Sequence, residues 1–291
     1  MKRFAFQFLA LIVASFALGD IPVPGNGRFE FHYAGKTVPV WYFLPEGAKA
    51  DAPVLFVMHG VNRDAERYRK EWLPHAQKIG FVLVVPEFSR AEFPKDGDYS
   101  QGAVVDENNQ PRPREQWAFS FIEPIFDAVK ERTGNRTENY RLFGHSAGAQ
   151  FAHRFLYFVP KARVTQVVAA NAGWWTLPDL QVEFPFGLKG APSVNGEALK
   201  AALQRRLTVL LGTNDTDPND PHLSRTAGAM AQGPFRFARG NYFFEYGQRQ
   251  AAVLGVTLNW KLGTAPGVGH SDGGMSPFAV EWLFGKKSDS R

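Results

Sequence analysis

Two stretches near the start of the chain alternate apolar and polar positions: Arg28-Phe29-Glu30-Phe31-His32-Tyr33, then Val38, Val40 and Tyr42 beyond Ala34-Gly35. A period of two on either side of a turn predicts a hairpin of antiparallel strands. The pattern then changes. Pro53–Met58, Phe81–Val85, Tyr140–Phe143, Thr165–Ala170 and Leu207–Leu211 are short, nearly continuous apolar runs, as expected of strands buried on both faces of a parallel sheet. Helical spacing fills the intervals. Tyr68, Trp72, Ala76 and Ile79 mark a helix over Arg63–Ile79 that stops at Gly80, with Pro74 as a kink. Trp117, Phe121, Ile125, Ala128 and Val129 mark a second that stops near Gly134, and a third runs onward from Ala147. Tyr242, Tyr246, Val253 and Leu254 mark a fourth, capped by Gly255. Val256, Leu258, Trp260 and Leu262 alternate as a last strand, and Ser276-Pro277 opens a short final helix carrying Phe278, Trp282 and Leu283.

A hairpin followed by alternating strands and helices predicts an α/β fold, a mostly parallel twisted sheet with helices on both faces. Two stretches stand outside this order. Glu87–Pro113 is polar and Pro-rich, and is expected to loop over the surface. Residues 173–191 hold no steady period but carry Trp174-Trp175 and Phe184-Pro185-Phe186, which predicts an excursion off the sheet that forms a partial lid.

Composition sharpens this picture. With 44% hydrophobic residues, 26 Phe and 7 Trp in 291 residues, a large core is available and disorder is not indicated. Lys2 and Arg3 precede a run from Phe4 to Leu18 that is almost wholly apolar, and Ala17-Leu18-Gly19 offers small residues for cleavage. Residues 1–19 are therefore expected to be a signal peptide, and 20–291 the single mature domain of a secreted or periplasmic protein. The absence of cysteine excludes disulfides, so stability must come from the core. Losing residues 1–19 removes two cations and no acid, taking the net charge from +5 to +3. Lysine and arginine are scattered, with pairs such as Arg205-Arg206 and Lys286-Lys287 but no long run. This disfavours nucleic-acid binding, and no stable membrane association is expected once the signal is removed.

The candidate chemistry centres on residues 140–151. Gly144-His145-Ser146-Ala147-Gly148 matches G-x-S-x-G between an apolar strand and a helix, a setting in which the serine sits on a strained turn with its hydroxyl exposed. A serine hydroxyl needs a base within hydrogen-bond reach, itself oriented by a third group. Asp215 follows the Leu207–Leu211 strand and is the expected acid, with Asp217 in reserve; Asp179 and Asp220 are less well placed. His270, in Gly267-Val268-Gly269-His270-Ser271, is the expected base. His222 is expected to open a helix at the surface, and His145 to pack. The N–H groups of Ala147 and of Val61, beyond His59-Gly60, are the expected oxyanion donors. Trp174, Trp175 and His59 are candidate substrate contacts. Asp215-x-Asp217-x-Asn219 begins like a calcium loop, but Asp220 and Thr226 occupy the positions of its glycine and closing glutamate. Neither a metal nor a cofactor is expected.

Met58-His59-Gly60, Gly144–Gly148, Gly212-Thr213-Asn214-Asp215 and Gly267–His270 resemble the α/β-hydrolase superfamily. Within it they are similar to the secreted polyhydroxybutyrate-depolymerase-like and feruloyl-esterase-like group, over about Phe29 to Phe284. The resemblance implies a sheet of about eight strands, no cofactor, Ser146 as nucleophile, His270 as base, Asp215 as acid, and the Val61 and Ala147 amides as the oxyanion hole. Many secreted depolymerases carry disulfides and a polymer-binding module, which this chain lacks; small esters or soluble polymers are therefore favoured over a crystalline solid. The resemblance also reaches poly(aspartic acid) hydrolases. There a surface made of Arg154, Arg163, Arg205, Arg206, Arg236 and Arg239 would steer a polyanion. A carboxylic ester hydrolase is the leading expectation, with an amide hydrolase of an anionic polymer or of peptides second, and a non-catalytic binding protein on a hydrolase scaffold third.

Overall fold

The computed structural model describes residues 24–285; the signal segment expected over residues 1–19 and the Lys286-Lys287 pair lie outside them. Strands β1 (Gly25–Tyr33) and β2 (Lys36–Leu44) form the hairpin, turning through Ala34 and Gly35, both at positive φ. Next come β3 (Val54–Met58), α1 (Ala65–Ile79), β4 (Val82–Pro86) and the short α2 (Asp96–Ser100). Then α3 (Ile122–Thr133), β5 (Tyr140–His145), α4 (Ala147–Phe158) and β6 (Val164–Ala170) follow. The chain closes with α5 (Gly196–Gln204), β7 (Leu207–Gly212), α6 (Ala227–Met230), α7 (Arg236–Leu254), β8 (Trp260–Ala265) and α8 (Asp272–Phe284).

The eight strands form one sheet in the order β1-β2-β4-β3-β5-β6-β7-β8. The pairs β1–β2 and β2–β4 are antiparallel and the remaining pairs parallel. All five residues of β3 are buried, and alternation divides them. Phe56 and Met58 face the core shared with Phe126 and Phe155 of α3 and α4, while Leu55 and Val57 face Trp72 of α1 and Met275 of α8. An apolar run without alternation is the consequence of helices on both faces. Helix α4 lies at the centre of one layer, every residue buried except Gln150.

Several element limits depart from the sequence pattern. Phe88, Phe93, Tyr99 and Val104 are buried, so the 87–113 segment is anchored by an aromatic cluster rather than draped over the surface. Helix α3 starts at Ile122, because Phe121 ends a preceding 3-10 turn and Trp117 is the extended residue that joins this turn to an earlier one. The last strand starts only at Trp260, where it pairs with Leu207, the first residue of β7. Helix α8 starts at Asp272, capped by the Ser271 hydroxyl, which accepts from the Gly274 N–H at 3.2 Å. Pro277 thus falls inside the helix, and the Gly273 carbonyl it cannot serve accepts instead from the Ser276 hydroxyl at 3.1 Å. His222 opens no helix; it lies in a turn where its N–H donates to Asp220 Oδ1. Residues 173–191 form a coil that packs Trp175, Leu177 and Leu188 inward.

Candidate active site

The corner between β5 and α4 is built by three residues. A Cβ on Gly144 would come within 2.1 Å of the Gly148 carbonyl oxygen, and one on Gly148 within 2.0 Å of the Met58 carbonyl oxygen. Both contacts are with backbone, which cannot yield, so only glycine fits at either side of Ser146. Ser146 itself sits at φ 58°, ψ −116°, a left-handed conformation strained for a residue with a Cβ. Its N–H donates to the Ala170 carbonyl at the end of β6, which fixes the corner against the sheet.

Asp215 lies in the turn after β7, and His270 in the loop between β8 and α8. Asn171, at φ 50° just after β6, ties the two loops together. Its Oδ1 accepts from the Gly212 N–H at 2.8 Å, and its Nδ2 donates to the Gly269 carbonyl at 3.1 Å. Gly212 allows the loops to close, since a Cβ there would lie 2.4 Å from the Val268 carbonyl oxygen. The result brings together three residues far apart in sequence. His270 Nε2 is 3.0 Å from Ser146 Oγ, and His270 Nδ1 is 2.8 Å from Asp215 Oδ2. Asp215 is buried and its Oδ1 faces Arg236 Nη1 at 3.3 Å. Asp217 is exposed and its Oδ1 accepts from the Asn219 N–H, so it takes no part in the cluster.

The loop after β3 lies against Ser146: a Cβ on Gly60 would be 3.9 Å from Ser146 Cβ. The Val61 carbonyl accepts from Arg90 Nη2 at 3.2 Å, while the Val61 N–H donates to no group among the described residues. Ala147 is the first residue of α4, so its N–H has no acceptor within the helix.

His59 is not a substrate contact. It is fully buried, its Nε2 accepts from the Phe88 N–H at 3.1 Å, and the remaining ring N–H donates to the Gly60 carbonyl at 3.0 Å. Burial lowers it to about 4, so it stays neutral and braces the loop from behind. Trp175 is likewise core, fully buried and stacked on Phe243 at 4.5 Å. Trp174 is also largely buried, between the Phe186 ring and the Arg154 guanidinium, but at 9% it is the most exposed of the three. His153 is buried, held by the Ala149 carbonyl and the Thr176 N–H.

The six arginines expected to form a basic surface do not form one together: Arg206 is exposed and Arg205 half-buried, but the other four are engaged within the fold or with acids. Arg154, Arg236 and Arg239 are buried, and Arg163 is paired with Glu123 and Asp127. Arg239 bonds mainly to backbone carbonyls, such as that of Gly173, and Arg154 divides its bonds between the Ser100 and Gln150 carbonyls and the side chains of Thr176 and Gln150. Sequence alone gave them no partners, because a lone arginine on a helix looks the same whether its fork meets water or a carbonyl.

No protein-family model matches the chain, and no curated protein matches it. Solved structures do. Poly(aspartic acid) hydrolase-1 from Sphingomonas sp. KT-1 superposes with a TM-score of 0.88 at 46% identity, covering 90% of this chain and 99% of its own. LpqC, a poly(3-hydroxybutyrate) depolymerase from Bordetella parapertussis, gives a TM-score of 0.86 at 32% identity, covering 92% and 93%. An S-formylglutathione hydrolase from Agrobacterium tumefaciens shares the fold at a TM-score of 0.56 and 16% identity, covering 90% and 96%. The chain belongs to the α/β-hydrolase family, in the group that holds the first two of these enzymes. It is a serine hydrolase.

Proposed function

We propose that this chain is an exported hydrolase of carboxylic esters, with Ser146 as nucleophile, His270 as general base and acid, and Asp215 as the group that orients and stabilises the imidazole. The observation that carries the reading is the continuous relay from Ser146 Oγ through His270 to Asp215 Oδ2, with separations of 3.0 and 2.8 Å. In the first step Ser146 Oγ attacks the ester carbonyl carbon and its proton passes to His270 Nε2. The Val61 and Ala147 N–H groups stabilise the oxyanion. As the tetrahedral intermediate collapses, His270 returns the proton to the leaving alkoxide, and an acyl group remains on Ser146. Water, deprotonated by His270, then releases the acid. Trp174, packed between Phe186 and Arg154, is the indole retained in this reading as a contact for the acyl or polymer chain. The test is Ser146→Ala. Turnover of short p-nitrophenyl esters is expected to fall by roughly a thousandfold or more, and fluorophosphonate labelling to vanish. Full activity in a folded variant rejects the assignment.

A second reading keeps the site and moves the scissile bond to the amides of a poly(aspartic acid)-like polyanion. It is favoured by the 46% identity to an enzyme named for that polymer. Of the arginines expected to steer such a substrate, Arg154, Arg236 and Arg239 are buried and Arg163 is ion-paired, so any steering falls to Arg206, the half-buried Arg205 and other surface cations. Incubation with poly(aspartic acid) decides. Chain shortening that weakens with added salt supports the polyanion, and an intact polymer beside rapid ester turnover leaves the ester reading alone.

A further inference from the structure

The carboxylate that orients His270 is held from its other side. Asp215 gives Oδ2 to His270 and presents Oδ1 to Arg236 Nη1 at 3.3 Å. Arg236 is the first residue of α7 and is 2% exposed. Its stronger bonds go elsewhere: Nη1 donates to Asp220 Oδ2 at 2.9 Å and Nη2 to Asp220 Oδ1 at 3.1 Å. This paired geometry is the favoured one for guanidinium and carboxylate. One buried cation is thus divided between two anions, by two short bonds to Asp220 and one long bond to Asp215. The Arg236 hydrogen bond lowers Asp220 to about 2, so the outer carboxylate is ionised wherever the enzyme works.

This division matters for a base. A cation close to Asp215 offsets the negative charge that stabilises the imidazolium of His270, and an anion near Arg236 restores it. We propose that Arg236 and Asp220 are a positioning pair that sets the lowest pH at which His270 accepts the Ser146 proton. The inference rests on the triad reading above. Neither residue touches the reacting atoms; both act through Asp215. Neither substitution alters the other titratable groups close to His270: His145 on β5, whose ring lies 4.7 Å away and which burial keeps neutral, and Asp272, two residues further along on α8 and buried beside Glu71 of α1.

The pair makes predictions of opposite sign, which a purely structural role does not. In Asp220→Asn the side-chain oxygen still accepts from the His222 N–H and Arg236 Nη2, but Asp215 is left as the sole carboxylate paired with Arg236. The acidic limb of kcat/KM for p-nitrophenyl ester hydrolysis should move to lower pH, by roughly half a unit or more. In Arg236→Gln the cation is lost and Asp220 remains, so the limb should move to higher pH by a similar amount, and Arg236→Lys should bring it part of the way back. If Arg236→Gln does not fold, the Asp220→Asn limb decides alone. Limbs that stay in place, or move the same way in both variants, overturn the pairing. That result is distinct from failure of the triad itself, which Ser146→Ala and fluorophosphonate labelling report independently.

Discussion

His145 lies against His270 with ring centroids 4.7 Å apart and 36° between the planes, yet only His270 is placed to take up a proton. His145 is fully buried. Burial first, and then the charge of His270, hold it well below the usual imidazole range. A second imidazolium at that separation would repel the one formed during catalysis, so the neutral neighbour favours turnover. Its Nδ1 shares a hydrogen bond with the Tyr68 hydroxyl at 3.0 Å, and burial keeps that hydroxyl protonated.

The Tyr68–His145 bond should be visible in a double-mutant cycle. Tyr68→Phe leaves a ring nitrogen buried without its partner, and His145→Phe leaves the hydroxyl in that state. Each is expected to cost about 1–3 kcal/mol in urea unfolding. The double variant removes both polar groups and should cost less than the sum of the two, by about 1 kcal/mol. Ester kcat/KM in His145→Phe should stay within about tenfold of wild type, since a packing residue carries no proton. Strict additivity would show that the bond contributes nothing.

The sheet, and the three residues Ser146, Asp215 and His270 that it brings into contact, were legible in the sequence because each leaves a local mark. Buried parallel strands read as apolar runs, the nucleophile corner demands Gly144 and Gly148, and acid and base lie at strand ends. What was not legible depends on contacts between distant segments. Nothing near Phe88, Phe93 or Tyr99 announces that their rings meet under a polar-looking stretch. His59 reads as a cleft residue until both nitrogens are found engaged, and Trp175 until it is found stacked on Phe243. Asn171 left one usable signal, an Asn directly after a buried strand, where side-chain amides often hold neighbouring loops. Asp220 was set aside because distance from a strand end says nothing about a partner such as Arg236.

Asn171 joins the loops that carry the acid and the base, so its loss should affect catalysis more than its distance from the substrate suggests. Asn171→Ala removes both the Oδ1 and the Nδ2 bonds and places alanine at positive φ. A stability loss of roughly 1–3 kcal/mol is expected, with kcat/KM down at least about tenfold as His270 loses its alignment. Denaturation and steady-state kinetics on the same preparation check both. Unchanged kcat/KM would show that the two loops hold their places without the amide.

Two glycines beside Ser146 should respond differently to alanine. In Gly148→Ala the new methyl meets the carbonyl oxygens of Met58 at 2.0 Å and His59 at 2.8 Å, and neither β3 nor α4 has room to retreat. The variant is expected to lose about 3 kcal/mol or more, or to fail to fold. In Gly60→Ala the near contact is the Tyr68 hydroxyl at 2.8 Å, the end of a side chain. A small shift relieves it, so the fold should survive. The shift acts on the loop that presents the Val61 N–H, and kcat is expected to fall by roughly 10–100-fold. Thermal denaturation separates the two, and a stable, fully active Gly60→Ala would remove Val61 from the oxyanion hole.

Asp272 gives stability a pH dependence of its own. It lies in the first turn of α8, where the helix end favours a negative charge, yet burial first, and then the adjacent Glu71 carboxyl, push it well above the usual carboxylate range. Neither of its oxygens makes a hydrogen bond of good geometry among the described residues. Burial therefore outweighs the helix end. An acid raised in the folded state binds its proton more tightly there than in the unfolded chain. Stability is then greatest below the unfolded value near 4 and declines as pH rises towards the raised folded value, with a limiting slope of about 1.4 kcal/mol per pH unit. Asp272→Asn removes the titrating group and keeps the shape. Its Tm relative to wild type should therefore climb between pH 4 and pH 8, by about 2–4 °C for each kcal/mol relieved. A Tm difference that is the same at both pH values would mean that Asp272 ionises no less readily in the folded protein than in the unfolded one.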